Sequence, residues 1–205
     1  MKISMTGILL AGGKNTRMGI NKAFLEMDEA RLIDRILAIF HKLFSETIIV
    51  TNDPLSYTEF TSATTVTDIY KNKGALGGIY SGLFFASEYY SFVTACDMPF
   101  LNKDLIIYLS QQVNKHDIVV PLTSKGFQPL HAIYSKNCLA PIKKNIDADR
   151  FKITGFYKGL RVLTITEEAL HPFDKNGQLF LNINTPKELE LLKQEIKNNN
   201  KIIDK

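Results

Sequence analysis

The sequence contains no tryptophan and only two cysteines, Cys96 and Cys138, among its 205 residues. Two isolated cysteines supply neither the paired ligands of a zinc knuckle nor the multiple bridges of a disulfide-stabilised fold. We therefore expect two buried free thiols and a reducing, cytoplasmic compartment. The apolar start of the chain is interrupted by Ser4, Thr6 and Gly7, which makes it a poor core for a signal peptide.

Long hydrophobic runs and concentrated charge are also absent. No stretch approaches about 18 consecutive apolar residues, so the sequence predicts no transmembrane helix and no membrane partner. The net charge is only +4, and the lysines are spread along the chain without an arginine-rich run. This distribution argues against nucleic-acid binding, which usually needs a concentrated basic patch, and favours anionic small molecules. The composition, 45% hydrophobic and 22% charged, is typical of a globular protein.

The sequence does contain a regular alternation of short apolar runs and amphipathic segments. This alternation predicts an α/β fold: a single-domain, doubly wound, mostly parallel sheet with helices on both faces, in a Rossmann-like arrangement. Apolar runs without alternation fit strands that are buried on both faces. The predicted strands cover 5–10, 47–51, 64–67, 91–95 and 118–121, and the predicted helices cover 31–44, 79–90 and 103–113.

The last third of the chain has a weaker pattern. It predicts, in chain order, a strand, a broken helix and a second strand, over 131–134, 136–160 and 161–165. The final helix has a clear start, with Thr185 as N-cap, Pro186 at the first position and Glu188 at the third. We expect a frayed tail after this helix, over 199–205.

The stretch from the first strand to Lys22 is the most informative part of the sequence, because a buried strand turns into a glycine turn and then a cationic segment. Gly12 and Gly13 lack a Cβ, so the backbone can adopt positive φ and approach a ligand closely. Consecutive N–H groups in such a turn form a concave anion site. Together with the charges of Lys14, Arg17 and Lys22, this site suits the phosphates of a nucleotide. The spacing matches neither a Walker loop nor a dinucleotide-binding fingerprint, and a solvated basic turn is the alternative interpretation.

Glycine, amide or carboxylate follows each of the first four predicted strands, at Gly12-Gly13, Asn52, Asp68 and Asp97. Ligands of open α/β sheets bind outside the carboxyl ends of the strands, so these positions are expected to converge on one site. Asp97 is the strongest single candidate, because Mg²⁺ binds through one or two carboxylates together with phosphate oxygens of the substrate. As the alternative, polar residues at strand ends cap helices or form Asx turns, which is the competing interpretation for Asn52.

Ordered motifs along nearly the whole chain resemble the nucleotidyltransferases related to molybdenum cofactor guanylyltransferase (MobA). The first motif resembles the triphosphate loop of that family, with Leu10-Ala11-Gly12-Gly13, Arg17-Met18-Gly19 and Lys22. Later segments resemble its D…GPLGGI, D-x-P and N-x-N-T-P motifs, at Asp68 with 74–78, at 97–99 and at 182–186. Three positions depart from the family pattern, which usually has serine, an acidic residue and proline where Asn15, Asn21 and Ala75 stand.

The resemblance implies a role for each matching residue. Arg17, Lys22 and Asp97 would be catalytic, and Asp97 would hold Mg²⁺. The loop and the strand ends would bind the nucleotide, through Leu10, Ala11, Gly12, Gly13, Lys22, Asn52, Asp68, Gly77 and Asp97. Two later segments would contact the acceptor substrate, through His131, Asn182 and Asn184. Without the resemblance, a lone histidine in a strand is a structural residue, and the two asparagines brace the turn into the last helix.

The implied reaction is transfer of GMP from GTP to the phosphate of molybdopterin, with Mg²⁺ and release of diphosphate. GTP and molybdopterin (the molybdenum cofactor) are then the small-molecule partners, and other cofactor-assembly proteins or recipient molybdoenzymes are candidate protein partners. The chain would be one nucleotidyltransferase domain over 1–205, with a nucleotide-binding half at 1–121 and an acceptor-substrate half at 122–198. A molybdopterin cytidylyltransferase or a sugar-phosphate nucleotidyltransferase is the enzymatic alternative. A nucleotide-binding regulatory protein without turnover is the alternative from another class.

Overall fold

The computed structural model describes residues 2–12, 21–27, 29–183, 185 and 188–192. Its strands are β1 (Ile3–Leu10), β2 (Glu26–Met27), β3 (Ala30–Arg31), β4 (Phe44–Val50), β5 (Thr64–Val66), β6 (Tyr90–Ala95), β7 (Ile118–Thr123), β8 (Gly126–Phe127), β9 (His131–Ser135) and β10 (Val162–Ile165). Its α-helices are α1 (Leu32–Leu43), α2 (Gly74–Phe85), α3 (Lys103–Gln111), α4 (Leu139–Asp147) and α5 (Glu167–Leu170). Residues 188–192 form a further short helical segment.

The main sheet is mostly parallel, which confirms the predicted fold class. Its strand order is β10-β7-β9-β6-β1-β4-β5, and β8 pairs with the far end of β7. Strand β1 runs parallel to both β4 and β6, and β4 runs parallel to β5. Strand β9 is antiparallel to β6 and β7, while β10 is parallel to β7. The antiparallel β9 therefore separates the nucleotide-side strands from β7 and β10.

Four parallel strands end at the same level. Leu10 of β1 pairs with Val50 of β4 and with Ala95 of β6, and Val50 pairs with Val66 of β5. Backbone hydrogen bonds continue one residue beyond β1, β4 and β6, for example from the Cys96 N–H to the Leu10 carbonyl at 3.1 Å. The residues that follow these strands therefore emerge side by side from a rigid edge.

Helices cover both faces of the sheet because its central strands are apolar on both sides. On one face, Leu9 and Ile49 belong to the cluster that contains the buried side chains of α1 and α3. On the other face, Ile8 and Ile48 belong to the cluster that contains those of α2 and α4. This double burial explains why β1 and β4 read as continuous apolar runs rather than as alternating patterns.

Helix α2 begins and ends earlier than predicted. The prediction placed the glycines from Gly74 to Gly78 in a loop and began the helix at Ile79, and this is wrong, since α2 covers Gly74–Phe85. Low helix propensity is overridden here by close packing. A Cβ on Gly82 would lie 2.6 Å from Cγ2 of Ile8, so only glycine lets α2 approach β1 this closely.

The irregular region after β9 follows the expected broken helix. It contains a 3₁₀ turn at Lys136–Cys138, then α4, then a second 3₁₀ turn at Ile153–Phe156. The predicted cap of the last helix is confirmed, since the Glu188 N–H donates to Oγ1 of Thr185 at 3.0 Å. Pro186 and the tail at 199–205 lie outside the described residues. Among the described residues, every helix is too short or too polar to span a lipid bilayer.

Candidate active site

A cleft of about 780 Å³ lies at the carboxyl ends of β1, β4, β5 and β6. Polar backbone, amide and charged groups face it together with small apolar side chains. Its lining comprises Leu10, Ala11, Gly12, Asn21, Lys22, Val50, Asn52, Asp68, Lys71, Asn72, Gly74, Ala75, Gly78, Ala95, Cys96, Asp97, Leu130 and Asn182. The cleft therefore lies at the edge of the sheet where the strand-end rule predicts a ligand site.

Most of the predicted site residues lie around this one cleft. These are Leu10, Ala11, Gly12, Lys22, Asn52, Asp68, Asp97 and Asn182. Gly77 lies on α2 beside the cleft-lining Gly78, with the carbonyl oxygen of Tyr70 only 2.8 Å from where its Cβ would be. Gly13, Arg17 and Asn184 lie outside the described residues.

Lys22 and Asp97 form an ion pair across the cleft. The Lys22 ammonium donates to Oδ2 of Asp97 at 3.3 Å, and both side chains are partly exposed. Lys22 begins a 3₁₀ turn whose N-cap is Asn21, because the Asn21 side chain accepts a hydrogen bond from the Ala23 N–H. The turn thus directs a cation toward the carboxylate at the end of β6. A strand-end carboxylate and a loop cation in contact can bind the oppositely charged parts of a metal–phosphate group.

Asp68, at the end of β5, has a neutral hydrogen-bond partner and not a cation. Its Oδ2 accepts from Nδ2 of Asn52 at 2.8 Å, whereas its Oδ1 is buried and has no hydrogen-bond partner. Burial raises the pKa of Asp68, and the hydrogen bond from Asn52 opposes this shift only in part. A Cβ on Gly78 would lie 3.7 Å from Oδ1, in ordinary van der Waals contact, so the glycine keeps a side chain from packing against this oxygen. A buried acceptor without a donor is suited to a hydroxyl or N–H group of a ligand.

The C-terminal motif is fastened beside Asp97 through the backbone. The Ile183 N–H donates to the carbonyl oxygen of Asp97 at 2.8 Å. Ile183 itself is buried in a small apolar cluster with Met27 and Leu32. This anchoring places Asn182, the residue before it, in the cleft wall near Asp97. Asn182 therefore reaches the site although it lies far from Asp97 in sequence.

His131 does not lie in the cleft. Its side chain is fully buried between the rings of Phe92 and Phe180, at centroid distances of 5.1 and 5.3 Å. Burial lowers its pKa to about 3, and neither ring nitrogen has a hydrogen-bond partner. The expectation that His131 contacts the acceptor substrate is therefore corrected: its position in β9 points the ring into the core.

A search of known proteins gives the family directly. The model of the MobA-like NTP transferase domain matches residues 7–163. The chain belongs to this family. The molybdenum cofactor guanylyltransferase of Desulfosudis oleivorans is 39% identical to it, covering 95% of this chain and 96% of that protein. A probable molybdenum cofactor guanylyltransferase of Clostridium perfringens is 38% identical, covering 95% and 100%.

Solved structures agree with this assignment. The molybdopterin-guanine dinucleotide biosynthesis protein A from Archaeoglobus fulgidus superposes with a TM-score of 0.79 at 26% identity, covering 95% of this chain and all of that chain. The resemblance inferred from the motifs is thus confirmed, and the protein is a MobA-like nucleotidyltransferase with a Rossmann-like fold.

The carboxylate of Asp97 in this MobA-like domain fits a hard divalent cation. Among the described residues there is no group of three or more histidine, cysteine, aspartate or glutamate side chains that could hold a metal alone. Asp97 nevertheless offers carboxylate oxygens at the cleft floor, and Mg²⁺ commonly uses one or two carboxylates and takes its other ligands from phosphate and water. The donor set therefore suits a metal that arrives with a nucleotide.

Several cleft residues of the MobA-like domain were missed from sequence. Lys71 and Asn72 line the cleft just before α2, where Asn72 adopts a left-handed conformation with φ 62°. The sequence feature that could have indicated Lys71 and Asn72 is the turn-forming run that ends at Gly74. Ser81 is buried on α2 and accepts from the Ile69 N–H at 2.9 Å, which ties the residue after Asp68 to the helix. A serine inside an apolar helix carries no such signal in sequence.

Proposed function

We propose that this protein transfers GMP from GTP to the phosphate of molybdopterin and releases diphosphate, forming the guanine dinucleotide form of the molybdenum cofactor. The names of its close relatives support the substrates. One observation carries the site: Gly12, Lys22, Asp68 and Asp97 line the same cleft, three of them at strand ends that the sheet register holds level.

In the proposed reaction an oxygen of the acceptor phosphate attacks the α-phosphorus of GTP. A new P–O bond forms, and the bond from the α-phosphorus to the bridging oxygen breaks, so diphosphate leaves with the electron pair. The attacking oxygen is already anionic, so the protein need not remove a proton. The barrier is then lowered by alignment of the two substrates and by neutralisation of negative charge.

A covalent intermediate on the cysteine of the described cleft is disfavoured. Cys96 lines the cleft but is buried, and this burial raises the pKa of its thiol to about 12. A thiol with this pKa is protonated at neutral pH and is a poor nucleophile. His131, whose pKa is lowered to about 3, lies in the core, and neither of its ring nitrogens makes a hydrogen bond that could activate Cys96. Direct transfer between the two substrates fits these groups better than a covalent intermediate.

Different protein groups would contact the phosphates, the metal, the nucleoside and the acceptor substrate. Lys22 and the Gly12 N–H would bind phosphate oxygens, and Arg17 would add a second cation from outside the described residues. Asp97 would hold Mg²⁺, which supplies charge neutralisation at the phosphates. Asp68 and Asn52 would receive the sugar or base of the nucleotide, where the unpaired Oδ1 of Asp68 can accept a hydrogen bond. Asn182 would contact the acceptor side.

Turnover with GTP and with CTP tests the proposal. We expect diphosphate release and dinucleotide product with GTP, Mg²⁺ and molybdopterin, and background rates with CTP. Turnover with CTP and not with GTP would show that the protein is a cytidylyltransferase and not a guanylyltransferase. A protein that is stabilised thermally by GTP but releases no diphosphate would instead be a binding protein, because a ligand bound only to the native state raises its stability.

The cellular setting follows from the substrates. We propose that the protein works in the cytoplasm, in the presence of GTP, and meets either other cofactor-assembly proteins or recipient molybdoenzymes. Affinity capture with the guanine dinucleotide product bound would test for such a recipient. Equal recovery with and without product would argue against a handover complex.

A further inference from the structure

Tyr57 lies behind the cleft and touches both flanks of the glycine-and-cation loop. It ends the 3₁₀ turn Pro54–Tyr57 that follows β4, and it is only 1% exposed. Its hydroxyl donates to the carbonyl oxygen of Ala11 at 3.1 Å. The same hydroxyl oxygen accepts from Nδ2 of Asn21 at 2.8 Å. Tyr57 therefore links the last residues before the loop to the first described residue after it.

The direction of these hydrogen bonds is determined by the groups involved. A phenol has one proton, and a backbone carbonyl can only accept, so the proton of Tyr57 points to Ala11. The Asn21 amide must then donate to Tyr57 through its nitrogen. Its oxygen accepts from the Ala23 N–H at 3.1 Å, which fixes the amide orientation. The result is a relay from the Asn21 amide through the Tyr57 hydroxyl to the Ala11 carbonyl.

The ring of Tyr57 is held rigidly by its neighbours. It packs against Phe24 and Phe60, with centroids 5.3 and 6.1 Å away. The guanidinium of Arg31 lies over both of these phenylalanine rings, at 5.5 and 5.2 Å. Burial also raises the pKa of Tyr57 to about 12, so its hydroxyl keeps the proton that the relay needs. The hydroxyl thus stays in one place as a protonated donor.

We propose that Tyr57 is a positioning residue that sets the spacing between the two flanks of the triphosphate site. Ala11 precedes Gly12, and Asn21 precedes Lys22, whose ammonium lies 3.3 Å from Asp97. Fixing the Ala11 carbonyl and the Asn21 side chain therefore fixes the Gly12 N–H relative to the backbone from which the Lys22 side chain extends. This inference rests on the proposed function of the cleft, because it assigns both groups to the same phosphate chain.

The amide at position 21 completes the relay on the Lys22 flank. Asn21→Ala removes both the nitrogen that donates to Tyr57 and the oxygen that accepts from the Ala23 N–H. It should therefore release the Lys22 flank even though Tyr57 is intact. Tyr57→Phe should release the Ala11 flank, because it removes the only proton that the phenol can donate.

Binding of GTP and of inorganic tripolyphosphate to the full chain, measured by calorimetry with Mg²⁺, tests the relay without turnover. We expect the Kd of both ligands to rise about tenfold in Tyr57→Phe and in Asn21→Ala, since misplaced groups lose alignment. The double variant should be no weaker than the weaker single variant, because both changes break one relay. In steady-state assays the loss should appear in KM for GTP and not in KM for molybdopterin.

Two matched variants control for simple loss of stability. Tyr90→Phe removes a hydroxyl that lies 3.2 Å from the carbonyl oxygens of Asn114 and His116 and shares its one proton between them, remote from the cleft. Asn145→Ala removes an amide that donates to the carbonyl of Pro141. Both control variants should lower the Tm to a degree similar to that of the relay variants. Their Kd values for GTP and for tripolyphosphate should be unchanged.

The outcomes separate the relay from the proposed function. Unchanged Kd values in Tyr57→Phe and Asn21→Ala, or equal losses in the two controls, would overturn the relay and leave the transferase assignment intact. Suppose that wild-type protein binds tripolyphosphate, that the relay variants bind it more weakly, and that wild-type protein releases no diphosphate. This result would overturn the transferase assignment alone. Failure of the wild-type protein to bind either ligand would overturn both.

Discussion

The two carboxylates of the cleft occupy equivalent places in the sheet but have different electrostatic surroundings. Asp68 follows β5 and Asp97 follows β6, and two strands lie between them. Three strand spacings separate their backbones by roughly 14 Å. Asp97 faces the Lys22 ammonium, whereas Asp68 has only the neutral Asn52 amide and one buried oxygen without a partner.

This difference assigns the two carboxylates to different parts of a substrate. The charge of a carboxylate beside a cation is compensated by that cation, and a metal ion that arrives with a phosphate can take over this role. A half-buried carboxylate with a neutral partner carries an uncompensated cost, since burial disfavours its charged form. A ligand hydroxyl or N–H group removes that cost. We therefore expect Asp97 to matter most for the rate and Asp68 for nucleotide affinity.

Replacing Asp97 should have the largest effect. Asp97→Asn keeps the shape but removes the charge that would hold the metal, so we expect kcat for diphosphate release to fall roughly a hundredfold or more. Asp104→Asn, at an exposed carboxylate on α3 outside the cleft lining, should leave kcat unchanged. Mg²⁺-dependent diphosphate release at the wild-type rate in Asp97→Asn would remove Asp97 from the mechanism.

Removing the cation opposite Asp97 should have the next largest effect. Lys22→Met keeps the aliphatic stem and deletes the charge, so we expect kcat/KM for GTP to fall by about 10- to 100-fold. Lys125→Met, at an exposed lysine outside the cleft lining, is the matched control. The loss should also make the Mg²⁺ dependence of the rate steeper, because one phosphate charge is then left to the metal. Equal activity in both lysine variants would contradict the role of Lys22.

Asp68→Asn should separate stability from binding. Because the folded-state pKa of Asp68 is raised above its ordinary value of 3.8, protonation stabilises the fold, and that stability is lost as the pH rises through the folded pKa. Without ligand, the variant should therefore have a higher Tm than wild type near pH 7 and an equal Tm near pH 3.8. Its Kd for GTP should rise roughly tenfold, since it loses a charged acceptor. A lower Tm at neutral pH would contradict the cost assigned to this carboxylate.

Asn52→Ala should have the smallest effect of the four. It removes the single hydrogen bond to Oδ2 of Asp68, so we expect the pKa of Asp68 to rise further and the free energy of unfolding to fall by about 1 kcal/mol. Chemical denaturation at neutral pH measures the stability. In an Asp68→Ala background the substitution should cost much less, because the partner is gone. An equal cost in both backgrounds would show that Asn52 acts without Asp68.

The general location of the site could be predicted from sequence because it depends on local patterns. Apolar runs mark the strands, and polar residues after them mark the edge where a parallel sheet binds ligands. Asn52, Asp68 and Asp97 were located by this rule. The bounds of α2 were not, since tight packing of Gly82 on Ile8 overrides weak helix propensity. The burial of the His131 ring could not be predicted either, because a strand pattern does not show which neighbouring side chains pack against a ring.

The sequence by itself determined the α/β class, the cleft edge and the family, through short motifs whose residues carry the chemistry. Only the tertiary structure decided which of these residues meet. It paired Lys22 with Asp97, left one oxygen of Asp68 unpaired and brought the segment of Asn182 beside Asp97. It also set the Tyr57 hydroxyl between Ala11 and Asn21. Such contacts join residues far apart in the chain, and they depend on the strand order and register of the sheet, which local patterns do not encode.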